Sequence, residues 1–174
     1  MLFRLTSLAL LAGLAFPSAL SAQSYTEMAG TYQVTDITPD GSIVVGVGDG
    51  GGFYWRWRVD PAPTYIGGVD AQGVSDDGTV IVGCIIDPVL NREVAGRWTA
   101  ATGWQNLGYL PNALSCPSRS NAYDVSGDGT AVVGLSWDGC TGRGFLWTAA
   151  TGMQELEPLG PPTGDDHNRA TPSP

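Results

Sequence analysis

The chain has 174 residues, and its hydrophobic fraction of 43% is too high for a disordered polypeptide. Eight arginines and no lysine stand against 17 acidic residues, so the formal net charge is −9. This acidic balance argues against binding to the phosphate backbone of nucleic acids and against docking on anionic lipid.

The N-terminus has the pattern of a secretory signal peptide. Arg4 supplies a positive charge, and the apolar stretch from Leu5 to Phe16 is too short to span a bilayer. Pro17 and several small residues follow, which predicts a signal peptide over residues 1–22 with cleavage after Ala22, although cleavage after Ser21 also fits. No later segment is long and apolar enough to cross a membrane as a helix. We therefore expect a protein that is secreted or displayed on the cell surface, without membrane insertion of the mature chain.

Internal repeats dominate the rest of the chain. One phrase occurs three times, as DITPDGSIVVG (36–46), GVSDDGTVIVG (73–83) and DVSGDGTAVVG (124–134). A second phrase follows each copy, as FYWRWRVDPAPTYIGG (53–68), AGRWTAATGWQNLG (95–108) and GFLWTAATGMQELEPLG (144–160). The equivalent residues Thr38, Ser75 and Ser126 are 37 and 51 residues apart. Self-similarity of this kind is typical of repeat architectures.

Each repeat predicts four short strands. An Asp-Gly hairpin turn comes first, because glycine readily takes the positive φ such turns need. These turns are Asp40-Gly41, Asp77-Gly78 and Asp128-Gly129. The next run is continuously apolar, which predicts a strand buried on both faces. Its glycine predicts a bulge or a close backbone approach (Gly46, Gly83 and Gly134). In the third segment aromatic residues occupy alternate positions and so fall on one face of a strand. A Thr-Gly turn then leads to the last strand.

Four strands per repeat with buried middle strands favour blades of a β-propeller. A β-solenoid would have coils more uniform in length than these spacings. We predict an all-β, propeller-like array of about three blades over residues 23–161, and a polar tail or the start of a further repeat over 162–174. Propellers typically have four to eight blades. Three blades therefore predict either the N-terminal part of a longer propeller or an open stack, and we favour the longer protein.

The repeats resemble the HAF repeat family of bacterial extracellular proteins. Residues 124–160 match best, with Arg143-Gly144-Phe145 at the family's H-A-F position and Trp147 after it. The histidine and alanine are absent, and we place Gly96 and Trp55 at the phenylalanine position of the other two repeats. The resemblance implies an extracellular repeat architecture and no particular chemistry.

No catalytic residue is predicted. The only histidine, His167, lies in the polar tail, and no ligands are spaced for zinc. The acid pairs Asp36/Asp40, Asp76/Asp77 and Asp124/Asp128 recur with the repeat, so turn formation explains them better than glycoside hydrolysis. The segments 48–52 (GDGGG) and 126–130 (SGDGT) could hold structural calcium, but neither is a full calcium loop. We predict no cofactor.

The six tryptophans suggest a carbohydrate platform or blade packing, and packing is favoured because four of them belong to the repeated third segment. We expect Trp137 to be exposed. For the three cysteines, blade topology brings the connection holding Cys116 beside the loop holding Cys140. These two are predicted to form a disulfide, with Cys84 a buried free thiol within its strand.

The leading functional hypothesis is a non-catalytic binding and scaffold module whose extracellular ligand is a protein or a glycan. The alternative is an extracellular carbohydrate-active hydrolase or lectin on a propeller scaffold. A hydrolase should have paired acids unique to one blade, whereas this chain repeats its acids.

Overall fold

The computed structural model describes residues 32–111, 117–137 and 141–157, which form twelve β-strands and no helix. Every four consecutive strands make one antiparallel sheet in simple chain order. Sheet A contains β1 (Tyr32–Ile37), β2 (Val44–Gly48), β3 (Gly51–Trp55) and β4 (Thr64–Gly67). Sheet B contains β5 (Gly73–Val74), β6 (Val80–Asp87), β7 (Arg92–Thr99) and β8 (Gly103–Asn106). Sheet C contains β9 (Arg119–Val125), β10 (Ala131–Trp137), β11 (Gly142–Thr148) and β12 (Gly152–Glu155).

The first two strands of each sheet are joined by the Asp-Gly turn. In sheet B, the Ser75 backbone N–H donates to the Val80 carbonyl over 2.9 Å, and the Gly78 N–H donates to the Ser75 carbonyl over 2.8 Å. The Ser75 hydroxyl also donates to Asp77 Oδ1 over 2.8 Å and accepts the Val80 N–H over 3.0 Å. Thr38 and Ser126 make the same set of bonds in the other sheets. The turn glycines have φ between +66° and +71° (Gly41, Gly78 and Gly129).

In sheets A and C, the glycine of the second strand marks a close approach of the first strand. In sheet A, a Cβ on Gly46 would overlap the Gln33 carbonyl oxygen. In sheet C, a Cβ on Gly134 would overlap the Asn121 carbonyl oxygen. The pairing register shifts beside these glycines in both sheets, so the predicted bulge and the predicted close approach occur together.

The register of the third strand corrects the aromatic alignment of the first repeat. Phe53 pairs with Gly46 as Phe145 pairs with Gly134, and Trp55 pairs with Val44 as Trp147 pairs with Val132. The phenylalanine position is therefore occupied by Phe53, and placing Trp55 there was wrong by two residues. In the run FYWRW, aromatic residues stand at every second position, so the pattern fits whether Phe53 or Trp55 is taken as the phenylalanine equivalent. The structure decides between them because β3 ends at Trp55. Trp57 lies in the turn that follows.

The sheets pack in chain order, with sheet B in the middle. One core cluster joins sheets A and B through residues such as Val45 and Ile81, and a second joins B and C through residues such as Val82 and Val132. Burial on both faces therefore holds for β6, whose first five residues are all buried. It is wrong for β2 and β10, because their sheets are at the two ends of the described array. In β10, for example, Val133 is 37% exposed.

Three consecutive four-stranded meanders, packed face to face in chain order, make an all-β, propeller-like array of blades. Each blade carries the same turn at the same place, so equivalent residues can be compared between sheets. Within the described ranges, no helix is long and apolar enough to cross a membrane.

Candidate ligand clefts between the sheets

Two clefts open between neighbouring sheets at equivalent places. The cleft between sheets A and B, here cleft 1, has a volume of about 600 Å³. The cleft between sheets B and C, cleft 2, has a volume of about 440 Å³. Each is bordered by the Asp-Gly-Thr turn of the later sheet and by the start of its WTAATG segment. The repeat therefore builds the same kind of cleft twice.

Cleft 1 combines aromatic rings with arginine side chains. Tyr54 of sheet A lies against Trp98 of sheet B, with ring centroids 5.7 Å apart and ring planes inclined by 38°. Arg56 and Arg97 also line the cleft. Stacked or tilted aromatic rings offer an apolar surface for a flat or sugar-like ligand, and guanidinium groups recognise carboxylate and other oxygen acceptors.

The two arginines of cleft 1 differ in their electrostatic environment. Arg56 donates two hydrogen bonds to the carboxylate of Asp60, over 2.7 and 2.9 Å, and these bonds lower the pKa of Asp60. Arg97 donates from Nη2 to the Gly129 carbonyl over 3.2 Å and forms no ion pair with any described residue. Arg97 lines both clefts, and in cleft 2 it is accompanied by the carboxylate of Asp128.

The structure places the predicted turn acids in their turns. The Ser126 hydroxyl and the Thr130 amide and hydroxyl donate to Asp128, which lowers the pKa of this carboxyl to about 2. Equivalent bonds, chiefly from Thr38 and from the Thr79 amide, lower the pKa values of Asp40 and Asp77. These carboxylates are ionised at neutral pH and are occupied by the turn.

Two of the other acids in these pairs, Asp36 and Asp124, accept hydrogen bonds from backbone amides. Asp36 accepts the amide of Ile37 at Oδ1 and the amide of Val74, in the next sheet, at Oδ2. Asp124 accepts the amide of Val125. Among the described residues, no three His, Cys, Asp or Glu side chains form a group that could hold a metal ion. In the suggested calcium segment 126–130 the carboxylate is already taken by the turn, and segment 48–52 supplies one carboxylate, Asp49, between β2 and β3.

No tryptophan is fully exposed, and of the six only Trp98 and Trp147 line a cleft. All six are described, and each is buried or half-buried. Trp104 donates its indole N–H to the Ile66 carbonyl over 2.8 Å, linking β8 to sheet A. Trp137, which we expected to be exposed, is half-buried and lies beside Gly142.

Cys84 is a buried free thiol, 3% exposed. Its burial, with smaller effects from Asp70 and Glu93, raises its pKa to about 12. Cys116, Cys140 and His167 lie outside the described residues, as do residues 1–22 and the tail from 162. The predicted disulfide therefore stays a prediction.

Sequence reasoning missed Tyr54 and Arg97 as cleft residues. They occupy the same position of the third strand, each pairing with a buried valine of the second. The equivalent residue in sheet C is Leu146, so the residue type at this position differs in each repeat and the sequence comparison does not single it out. The available signal was the repeated WTAATG, whose threonine and alanines border both clefts.

The fold and the clefts define a β-repeat protein with propeller-like sheets and open clefts between neighbouring sheets. No protein-family model matches the chain, and no curated protein matches its sequence. Among solved structures, it is similar to the crystal structure of TolB from Acinetobacter baumannii, with a TM-score of 0.49, 15% identity and coverage of 78% of this chain and 34% of that one. It is also similar to a candidate TolB from Agrobacterium tumefaciens, with a TM-score of 0.38, 11% identity and coverage of 75% and 63%. The chain thus spans about a third of the first structure's length and under two thirds of the second's.

Proposed function

We propose that this protein is a secreted or surface-displayed, non-catalytic binding and scaffold module that holds an extracellular ligand, a protein or a glycan, in cleft 1. The observation that carries the proposal is the pair of tilted rings, Tyr54 and Trp98, at one opening between two sheets, with Arg56 and Arg97 among the residues that line it. An apolar ring surface in a cleft lined by arginines suits a ligand with a flat or sugar-like face and an acidic or carbonyl oxygen.

The carboxylates support a non-catalytic role. Glycoside hydrolysis needs one protonated and one ionised carboxyl facing each other across the bond that breaks. Here the turn acids have lowered pKa values and accept hydrogen bonds from their own turns, as Asp77 and Asp128 do. An acid held ionised in this way is a poor proton donor at neutral pH.

The location of the protein rests on the N-terminal pattern and on the HAF resemblance. We expect exported protein to begin near Gln23. N-terminal sequencing of secreted or surface material tests this, and recovery of a chain that still starts at Met1 would contradict export by signal cleavage.

A glycan array probed with residues 23–174 tests the ligand class. Trp98→Ala removes one ring of cleft 1, and Arg97→Gln removes its charge. Arg119→Gln is the matched control, because Arg119 is exposed and pairs with Glu93 away from the clefts. We expect the two cleft variants to weaken binding at least about tenfold while the control binds as the parent does. Binding that all three variants retain would place the ligand elsewhere.

A glycosidase screen on the same material separates the two functional hypotheses. The binding module should leave every glycan intact. Turnover of any glycan by the purified protein would overturn the non-catalytic assignment and favour the hydrolase alternative.

A further inference from the structure

Two exposed alanines recur in sheets B and C where neither packing nor the turn requires them. The turn between the third and fourth strands has the sequence TAATG in both sheets. Its threonines are explained by their bonds, because the hydroxyls of Thr99 and Thr102 are 2.8 Å apart, as are those of Thr148 and Thr151. The alanines between them are exposed in both sheets and make no such bond (Ala100 and Ala101, Ala149 and Ala150). Their identity therefore needs another reason.

The TAATG turn accompanies a cleft. Sheet A makes the equivalent turn with residues 56–63 (RWRVDPAP), so the four-stranded sheet does not require TAATG. No described sheet precedes sheet A, whereas sheets B and C each follow one and each border a cleft. Duplication alone does not explain the identity, because the preceding residue has changed from Arg97 to Leu146. The same four residue types line both clefts on the side of the later sheet (Trp98, Thr99, Ala100 and Ala101 in cleft 1; Trp147, Thr148, Ala149 and Ala150 in cleft 2).

The opposite walls of the two clefts, from the earlier sheets, supply hydrogen-bonding groups. Tyr54 in cleft 1 and Arg97 in cleft 2 occupy the same position of the third strand. Arg97 Nη2 reaches the Gly129 carbonyl of sheet C, which places this guanidinium in cleft 2. Gln105, which pairs with Arg97 in β8, also lines cleft 2. Phenol, guanidinium and amide groups bind hydroxyl and carbonyl oxygens. Each cleft thus joins a constant small-residue wall to a varied polar wall.

We propose that clefts 1 and 2 are successive subsites for one linear glycan, whose repeating units lie against the two Trp-Thr-Ala-Ala walls. This inference rests on the proposed function and extends it from one cleft to two. Identical walls fit identical units, and a glycan repeats its unit, whereas an ordinary polypeptide presents a different side chain at each position. Packed sheets are about 10 Å apart, a spacing close to the length of a disaccharide. The net charge of −9 disfavours a densely anionic glycan, and the cleft arginines suit hydroxyl and carbonyl oxygens.

The test compares short and long oligosaccharides on the mature chain, residues 23–174. The probes are the disaccharide and the hexasaccharide of cellulose, of chitin and of xylan, titrated by calorimetry. We expect the hexasaccharide of at least one series to bind at least about tenfold more tightly than its disaccharide, because contacts in the second cleft add to those in the first. A glycan that used one cleft would gain little from the added length.

Matched glutamate variants assign the gain to the two clefts. Ala101→Glu obstructs cleft 1 and Ala150→Glu obstructs cleft 2, and both positions are exposed, so denaturation midpoints should stay near the parental value. In each variant the hexasaccharide should bind no more tightly than the disaccharide. Gln154→Glu adds the same charge at an exposed position outside both clefts and should keep the parental length dependence.

The outcomes separate this inference from the proposed function. Equal affinities for short and long probes, no binding of any probe, or parental hexasaccharide binding by Ala150→Glu would overturn the two-subsite inference. Cleft 1 would still stand as a site if the glycan array gave binding that Trp98→Ala weakened, whereas a blank array would overturn both. Binding of a proline-rich peptide in place of every oligosaccharide, weakened by both glutamate variants, would also overturn the inference, because aromatic-lined grooves accept such peptides.

Discussion

The indole ring of Trp104 lies directly over Gly96, so close that a Cβ on Gly96 would be 2.8 Å from the indole Cε3 atom. Sheets A and C have phenylalanine at this position of the third strand, Phe53 and Phe145. In sheet B the ring comes from β8 instead, and its N–H reaches the Ile66 carbonyl of sheet A. The missing phenylalanine of the second repeat is thus compensated by a neighbouring strand, which also ties two sheets together.

Replacing Gly96 with alanine should destabilise the protein. The added methyl group collides with Trp104 and with Ile85, and overpacking of this kind costs about 1–3 kcal/mol. Gly144→Ala is the matched control, since its Cβ would meet only Leu156 at 3.7 Å. Urea denaturation should show a lower midpoint for Gly96→Ala and an unchanged or slightly higher one for Gly144→Ala. Equal midpoints would mean that Trp104 does not occupy this space.

In sheet B, replacing Gly78 of the Asp-Gly turn with alanine should destabilise the protein more than replacing Gly103 of the turn between the third and fourth strands. Gly78 and Gly103 have nearly the same φ, +70° and +69°. Alanine at either position carries the left-handed penalty of about 1–2 kcal/mol. At Gly78 the methyl group would also overlap the Ile43 side chain of sheet A, whereas nothing lies within 4 Å at Gly103. Gly78→Ala should therefore lose more unfolding free energy than Gly103→Ala, and the reverse order would contradict the packing of this turn against sheet A.

The Asp-Gly turns should make the protein sensitive to acid. Hydrogen bonds lower the pKa values of Asp40, Asp77 and Asp128 in the folded state, that of Asp128 to about 2, while an unfolded aspartate titrates near about 3.9. Their contribution to stability is complete above about pH 4 and is lost as the pH falls through the folded values.

Urea midpoints measured between pH 7 and pH 2.5 check this expectation. Asp128→Asn should lower the midpoint at pH 7 and lose less on acidification than the parent, because it removes one titrating group. Asp49→Asn, whose side chain makes no hydrogen bond with the described residues, should follow the parental profile. An Asp128→Asn profile parallel to the parent's would show that this turn does not contribute to the acid sensitivity.

Cys84 should resist thiol reagents in the native protein. Its side chain is buried between packed sheets, and its pKa of about 12 leaves almost no thiolate at pH 8. Iodoacetamide should label Cys84 slowly in buffer and rapidly in urea, as followed by peptide mass spectrometry. Fast labelling in buffer would contradict its burial.

Non-reducing peptide mapping of the exported protein checks the predicted disulfide. We expect the peptides holding Cys116 and Cys140 to be cross-linked, because the link between blades and the second-to-third-strand loop emerge on the same side of a blade. A cross-link that includes Cys84, or free thiols at all three positions, would disprove the pairing.

Much of the architecture could be predicted from the repeated sequence motifs. The bonds that close the Ser/Thr-x-Asp-Gly hairpin are short-range, so the hairpin is set by residues that are neighbours in the chain, such as Ser75 and Asp77. The glycine at Gly46 likewise predicted a bulge, because a strand interior without a side chain usually marks a close approach.

The register of the first aromatic run and the burial of each strand depended on tertiary structure. Phe53, Trp55 and Trp57 alternate in sequence, and only the end of β3 and its pairing decide which two share the strand. The apolar runs of β2, β6 and β10 look alike, but burial depends on the number of neighbouring sheets, which no local pattern records. The clefts follow the same rule: Tyr54 and Trp98 are 44 residues apart in the chain and meet only because sheets A and B pack face to face.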